Sequence, residues 1–134
     1  MDNRPSPAKI SRPKASDTFA RTRLFRLLDS ARRKPLVWIM GPPGSGKTML
    51  VADYLERRRV TTLWYQADPG DADIATFYHY LGLAAKKTAP RHRRPLPACT
   101  PDRLTDLDRY ARQFFAALYA RLKPPFTLVF DNYQ

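Results

Sequence analysis

The stretch Leu36-Val37-Trp38-Ile39-Met40-Gly41-Pro42-Pro43-Gly44-Ser45-Gly46-Lys47-Thr48 decides how this chain is read. Its five unbroken apolar residues, bounded by Pro35 and Gly41, suit a strand buried on both faces, as in a parallel sheet. Three of the chain's five glycines follow within residues 41–48, in the pattern G-x-x-x-x-G-K-[ST]. From Met49 to Arg58 the spacing turns helical, with Leu50, Val51, Tyr54 and Leu55 apolar. Arg57, Arg58 and Arg59 sit where cations favour a helix C-terminus. Strand, glycine loop and helix together give the pattern a physical meaning. Glycines let backbone approach an anion with no Cβ in the way, and successive N–H groups form a nest for it. The helix then points the positive end of its dipole at the same place. Lys47 offers a point charge to the β- and γ-phosphates of a nucleotide, and the Thr48 hydroxyl a ligand for Mg2+. Pro42 and Pro43 lack an N–H, so they stiffen the loop while donors come from Gly44 onward. The expected cofactor-binding set is Gly41, Pro42, Pro43, Gly44, Ser45, Gly46, Lys47 and Thr48.

Working outward from the loop, Leu24, Leu27, Leu28 and Ala31 mark one face of a helix that Pro35 closes. Before it, residues 1–17 hold Pro5, Pro7 and Pro13 amid Arg4, Lys9, Arg12 and Lys14, and read as a mobile basic arm ahead of the N-terminal part of a P-loop NTPase domain at 18–134. On the other side, residues 61–66 are β-branched and aromatic and predict a second strand. A turn at Asp68-Pro69-Gly70-Asp71 leads to a helix marked by Ile74, Phe77, Tyr78 and Leu81. A long loop at 86–101 contains the run Arg91-His92-Arg93-Arg94. Thr100 as N-cap and Pro101 at the first helical position open one further helix, with Leu104, Leu107, Ala111, Phe114, Leu118 and Leu122 on its face. Pro124 and Pro125 end it, and residues 126–130 form a third apolar strand closed by Asp131. Strands alternating with helices predict an α/β fold built on a parallel sheet with flanking helices, the P-loop NTPase arrangement.

A phosphate loop needs an acid on a neighbouring strand, on the metal side. Asp131 meets that need at the C-terminal edge of a strand, where open α/β sheets bind ligands. The expected metal set is thus Thr48 and Asp131. Asn132 follows, where many ATPases carry a second acid that activates water. An amide cannot serve as that base, so slow hydrolysis is expected and the catalytic residue is left open. Asp68, Asp71 and Asp73 read as turn and N-cap residues rather than a metal site. His79, His92 and Cys99 have no evident partners. The Arg91–Arg94 run lacks the interleaved aromatics of a single-strand platform, and reads as a solvated or partner-facing charge run.

Composition narrows the rest. In 134 residues, 24 Lys and Arg against 12 Asp and Glu give a net charge of +12, which favours polyanions without specifying a fold. One Cys excludes an intrachain disulfide framework and fits a reducing compartment, so a cytoplasmic location is expected. The longest apolar run spans seven residues, 114–120, far short of the ~20 a spanning helix needs. No membrane partner and no secretion signal are therefore expected.

Beyond the loop, the chain resembles a known family. Lys9-Ile10-Ser11-Arg12-Pro13, GPPGSGKTMLVADYL (41–55), LWYQADPGDADIATFYHYLG (63–82) and FFAALYARLKPPFTLVFDNYQ (114–134) carry the resemblance. They are similar to the amino-terminal ATPase of large bacterial transcriptional regulators. These are the signal-transduction ATPases with numerous domains (STAND ATPases), of the maltose-regulon activator and LuxR-type group. The resemblance implies ATP and Mg2+ as cofactors, with phosphate and metal contacts at Lys47 and Thr48 and the metal also at Asp131. It implies a nucleotide-controlled switch that self-associates or acts on further domains of a longer chain, with DNA bound only through those domains. It also places the basic stretch near Arg12 close to the adenine. In that class a later strand lies between the phosphate-loop strand and the acid-bearing strand. None precedes Gln134, so the expected sheet is incomplete at its C-terminal side, the chain a fragment, and the isolated chain only marginally stable. The alternative is a P-loop ATPase or phosphotransferase acting on a small molecule, with the Arg91–Arg94 loop as its lid. A basic nucleic-acid-binding module with an incidental loop is a third reading.

Overall fold

The computed structural model describes residues 8–13, 21–42, 44–123 and 125–132. Its elements are α1 (Thr22–Ala31), α2 (Lys47–Arg57), β1 (Thr62–Gln66), α3 (Ile74–Thr88), α4 (Pro101–Leu104), α5 (Leu107–Leu122) and β2 (Thr127–Asp131), with 3-10 turns at Ala8–Ile10 and Pro69–Ala72. The chain divides into two compact units. One comprises Met1–Arg12 and Val60–Gln134, the other Pro13–Arg59.

The first unit is built on a parallel pair, β1 against β2, with Thr62 opposite Thr127 and Gln66 opposite Asp131. Two further backbone bonds extend the ladder, Thr127 N–H to Thr61 O (2.9 Å) and Ala67 N–H to Asp131 O (2.8 Å). Parallel strands need a long crossover, and α3, α4 and α5 supply it. Side chains alternate across a strand. Leu63 and Tyr65 accordingly join a core with Tyr78, Leu81, Ala84 and Ala85 of α3 and Tyr110, Phe114, Leu118 and Leu122 of α5. Tyr78 organises its aromatic centre, lying edge-on to Tyr110 at 4.8 Å and to Phe114 at 4.9 Å between ring centroids. Burial, and then its neighbour Cys99, pushes the Tyr110 hydroxyl up to about 12.

Three expectations change here. Residues 36–40 form no strand: the described sheet has two strands, and Leu36, Trp38 and Met40 are 76%, 61% and 81% exposed. A strand is a paired object, and an apolar run outside the described sheet has no ladder to hold it extended. The helix expected from Pro101 through Leu122 is broken at Thr105 and Asp106. The Thr105 hydroxyl donates to Asp102 O (2.6 Å), and the Asp106 carboxylate caps Arg109 N–H (3.2 Å), so a new helix starts. The buried stripe then runs through Tyr110, Phe114, Leu118 and Arg121, while Leu104 and Leu107 are exposed.

Of the expected arm, residues 1–7 and 14–17 lie outside the described residues. Within the described part, Ile10 is buried in the core and Lys9 is clasped beside it. The Lys9 ammonium bonds Asp68 (2.8 Å), Asp71 (2.9 Å) and Gln66 O (3.0 Å), and lies over the Tyr65 ring. Burial opposes its charge, but the hydrogen bonds of Asp68 and Asp71 outweigh that and raise its pKa.

The second unit is smaller. Phe25 of α1 meets Tyr54 of α2 edge-to-face at 5.3 Å. Asp29 ties the two helices, accepting from the Tyr54 hydroxyl (2.6 Å) and from Arg58 through two nitrogens (3.0 Å each). The Arg58 bonds, followed by that of Tyr54, hold the Asp29 carboxyl down at about 2.

Candidate functional site

The loop of residues 41–48 lies wholly in the second unit. Pro43 lies outside the described residues. The loop begins with a turn in which Ser45 N–H donates to Pro42 O (3.1 Å). Gly44 and Gly46 then take left-handed φ values of +78° and +83°. L-residues avoid that region, which is why glycine stands at both positions. At Gly41 the constraint is space instead: a Cβ there would come within 2.8 Å of the Ser45 hydroxyl oxygen, which would have to shift. The sharp turn delivers the chain into α2, with Gly46 as its N-cap and Lys47 as its first residue.

A helix start leaves N–H groups without intrahelical acceptors, and Gly46 has no side chain with which to cap them. The Lys47 ammonium folds back over the loop and donates to Gly41 O (2.6 Å). Donors, a helix dipole and an ammonium therefore converge on one bend with no acidic side chain among residues 41–48. That donor set fits an anion. A phosphate oxygen would be a stronger acceptor for Lys47 than the neutral carbonyl it now holds.

Thr48 stands in the first turn of α2. Asp131 ends β2 in the other unit, and its carboxylate accepts Asn132 N–H (2.9 Å). Asn132 is left-handed, with φ +59°, and its amide donates to Ala67 O (3.3 Å). Side chain and backbone thus bind this residue to the end of the sheet. Among the described residues, no three His, Cys, Asp or Glu side chains cluster as a metal site. Asp68 and Asp71 form a reciprocal capping box around the Pro69–Ala72 turn.

Two residues outside the glycine loop make contacts that periodicity does not announce. Arg121 is buried, and its guanidinium donates to Ala89 O (3.0 Å) and Arg94 O (3.3 Å). With Tyr110 to Pro97 O (3.0 Å) and Arg103 to Ala98 O (2.8 Å), it staples the loop expected as a lid to the helices beneath. An arginine in an otherwise apolar stripe gives no warning of this, because the same spacing also suits a snorkelling surface residue. Lys9 is the other. Its stretch, Lys9 to Pro13, enters the family resemblance, but nothing local in it announces the clasp.

No helix among the described residues is long and apolar enough to cross a membrane. Compared with known proteins, the chain matches no solved structure. It does match the AAA domain family over residues 30–134, a span that includes the glycine loop, both strands and Asp131. The two-stranded parallel sheet with flanking helices fits the α/β P-loop fold of such domains. The chain belongs to the AAA domain family, and its loop is that of a nucleotide-binding P-loop ATPase module.

Proposed function

We propose that this protein is an ATP-binding switch module of a bacterial transcriptional regulator, with hydrolysis slow or absent. The observation that carries the nucleotide reading is the bend at 44–47: two left-handed glycines feed α2, and Lys47 is turned onto the loop's own Gly41 carbonyl. Residues 41–48 hold the phosphates, and Lys47 exchanges that carbonyl for phosphate oxygen. Thr48 and Asp131 are the proposed Mg2+ residues. When bound, Mg2+ would neutralise phosphate charge. Hydrolysis is slow because Asn132, with no proton-accepting group, occupies the position after Asp131 and is committed to Ala67 O. The regulator role rests on the resemblance of the 41–55, 63–82 and 114–134 segments to the STAND ATPases of LuxR-type regulators. In this reading DNA is contacted through other domains of a longer chain. Arg121, Tyr110 and Arg103 hold the 89–98 loop by its carbonyls, which favours the switch reading over a small-molecule phosphotransferase with that loop as its lid.

Filter binding of labelled ATP with Mg2+ tests the nucleotide reading. Retention by the wild-type chain and its loss in Lys47→Ala support it; equal retention by both overturns it. Turnover that rises with an added small-molecule acceptor would favour the phosphotransferase instead.

A further inference from the structure

Arg21 is the residue immediately before α1, and its carbonyl accepts the first helical bond, from Phe25 N–H (2.9 Å). Its side chain reaches the phosphate loop of the same unit. A Cβ built on Gly46 would lie 3.1 Å from Arg21 Nη2, 3.6 Å from Nη1 and 3.8 Å from Cζ, so the guanidinium lies against the Gly46 backbone. Gly46 is the N-cap of α2, the point at which the dipole's positive end emerges. Three cations of this unit are held by acceptors. Arg57 pairs with Asp53, Arg58 with Asp29, and Lys47 with Gly41 O. The Arg21 guanidinium has no hydrogen bond or ion pair among the described residues. A cation beside a helix N-terminus that is itself positive is electrostatically unfavourable, and an anion between them would relieve this.

We propose that Arg21 is a second phosphate contact of the nucleotide, its guanidinium gripping the di- or triphosphate beside Gly46. This deepens the reading of residues 41–48 as a nucleotide loop and rests on it. The planar fork can take two phosphate oxygens at once, whereas Lys47 acts as a point charge. The left-handed φ of +83° is what calls for glycine at residue 46; a Cβ there would ask the guanidinium to shift only slightly.

The test is equilibrium binding of Mg-ATP, Mg-ADP and inorganic tripolyphosphate to the full chain as wild type, Arg21→Ala and Arg21→Lys. A charge-assisted contact corresponds to a loss of about tenfold in affinity for Arg21→Ala with all three ligands. Arg21→Lys should fall between, since it keeps the charge and loses the fork. Both variants should keep wild-type helix content by circular dichroism, because the side chain makes no hydrogen bond among the described residues. Arg21→Ala binding all three ligands as wild type does would overturn the proposal while leaving the loop assignment standing. So would a loss confined to ATP and ADP, which would place the guanidinium on base or ribose. If the wild-type chain binds none of the three, the loop assignment fails and Arg21's role fails with it.

Discussion

The two units differ in how their apolar residues are used. In the unit of β1, β2, α3 and α5, Tyr65, Leu81 and Leu118 are each 0% exposed, and the aromatic cluster around Tyr78 is continuous. In the 13–59 unit the most apolar stretch of all, residues 36–40, faces solvent, and α1 and α2 are joined by a ring pair and by Asp29. The chemistry-bearing loop belongs to this second, lightly packed unit. The contrast separates two kinds of information. A glycine loop feeding a helix is specified locally, by φ values and short-range hydrogen bonds. A strand is specified only when a neighbour pairs with it.

Substitutions at the two extremes should break or sharpen that contrast. The largest effect is expected at Phe114, 2% exposed at the centre of the first unit. Phe114→Ala should cost about 3–5 kcal/mol in chemical denaturation, through lost burial and the cavity left behind. A cost near zero would mean that the aromatic cluster is not a core.

Next is Lys9→Met, which should cost about 1–3 kcal/mol by leaving Asp68 and Asp71 without their cation. Its pH dependence is specific. Burial works against the Asp71 charge, but Tyr65 and Lys9 lower its pKa below the ordinary 3.8, so the clasp's contribution is complete above that value and lost as pH falls below it. The Lys9 pKa is raised above 10.5, so the contribution is complete below that value and lost as pH climbs through the raised one. The stability difference between Lys9→Met and wild type should therefore hold across neutral pH and shrink at both extremes. A difference constant with pH would show that Lys9 acts by packing alone.

The smallest effect is expected at Met40. Met40→Ser should change stability by about 0.5 kcal/mol or less, as at other exposed sites. A cost of several kcal/mol would restore the buried strand that its composition predicts.

These residues also show where the sequence could be read and where it could not. The loop with α2, the strand positions of Leu63, Tyr65 and Leu128, and the α3 face of Tyr78 and Leu81 follow from periodicity and local chemistry alone. The break at Thr105 and Asp106 was hidden because both residues are tolerated inside helices, and only the capping bond to Arg109 N–H reveals the new start. Residues 36–40 misled for the opposite reason, since apolar composition states what a segment would do once paired and not whether it is paired. Lys9, Arg21 and Arg121 act over 25 to 62 positions of chain, to Gly46, Asp71 and Ala89, and no local pattern encodes such distances.

The central claim is that residues 41–48 form a phosphate cradle closed by Lys47. Isothermal titration of Mg-ATP into the wild-type chain and into Lys47→Ala tests it most directly. A saturable one-site heat in the wild type, abolished in a variant of unchanged helix content, is the predicted result. No heat in the wild type, or the same isotherm in both, would contradict it.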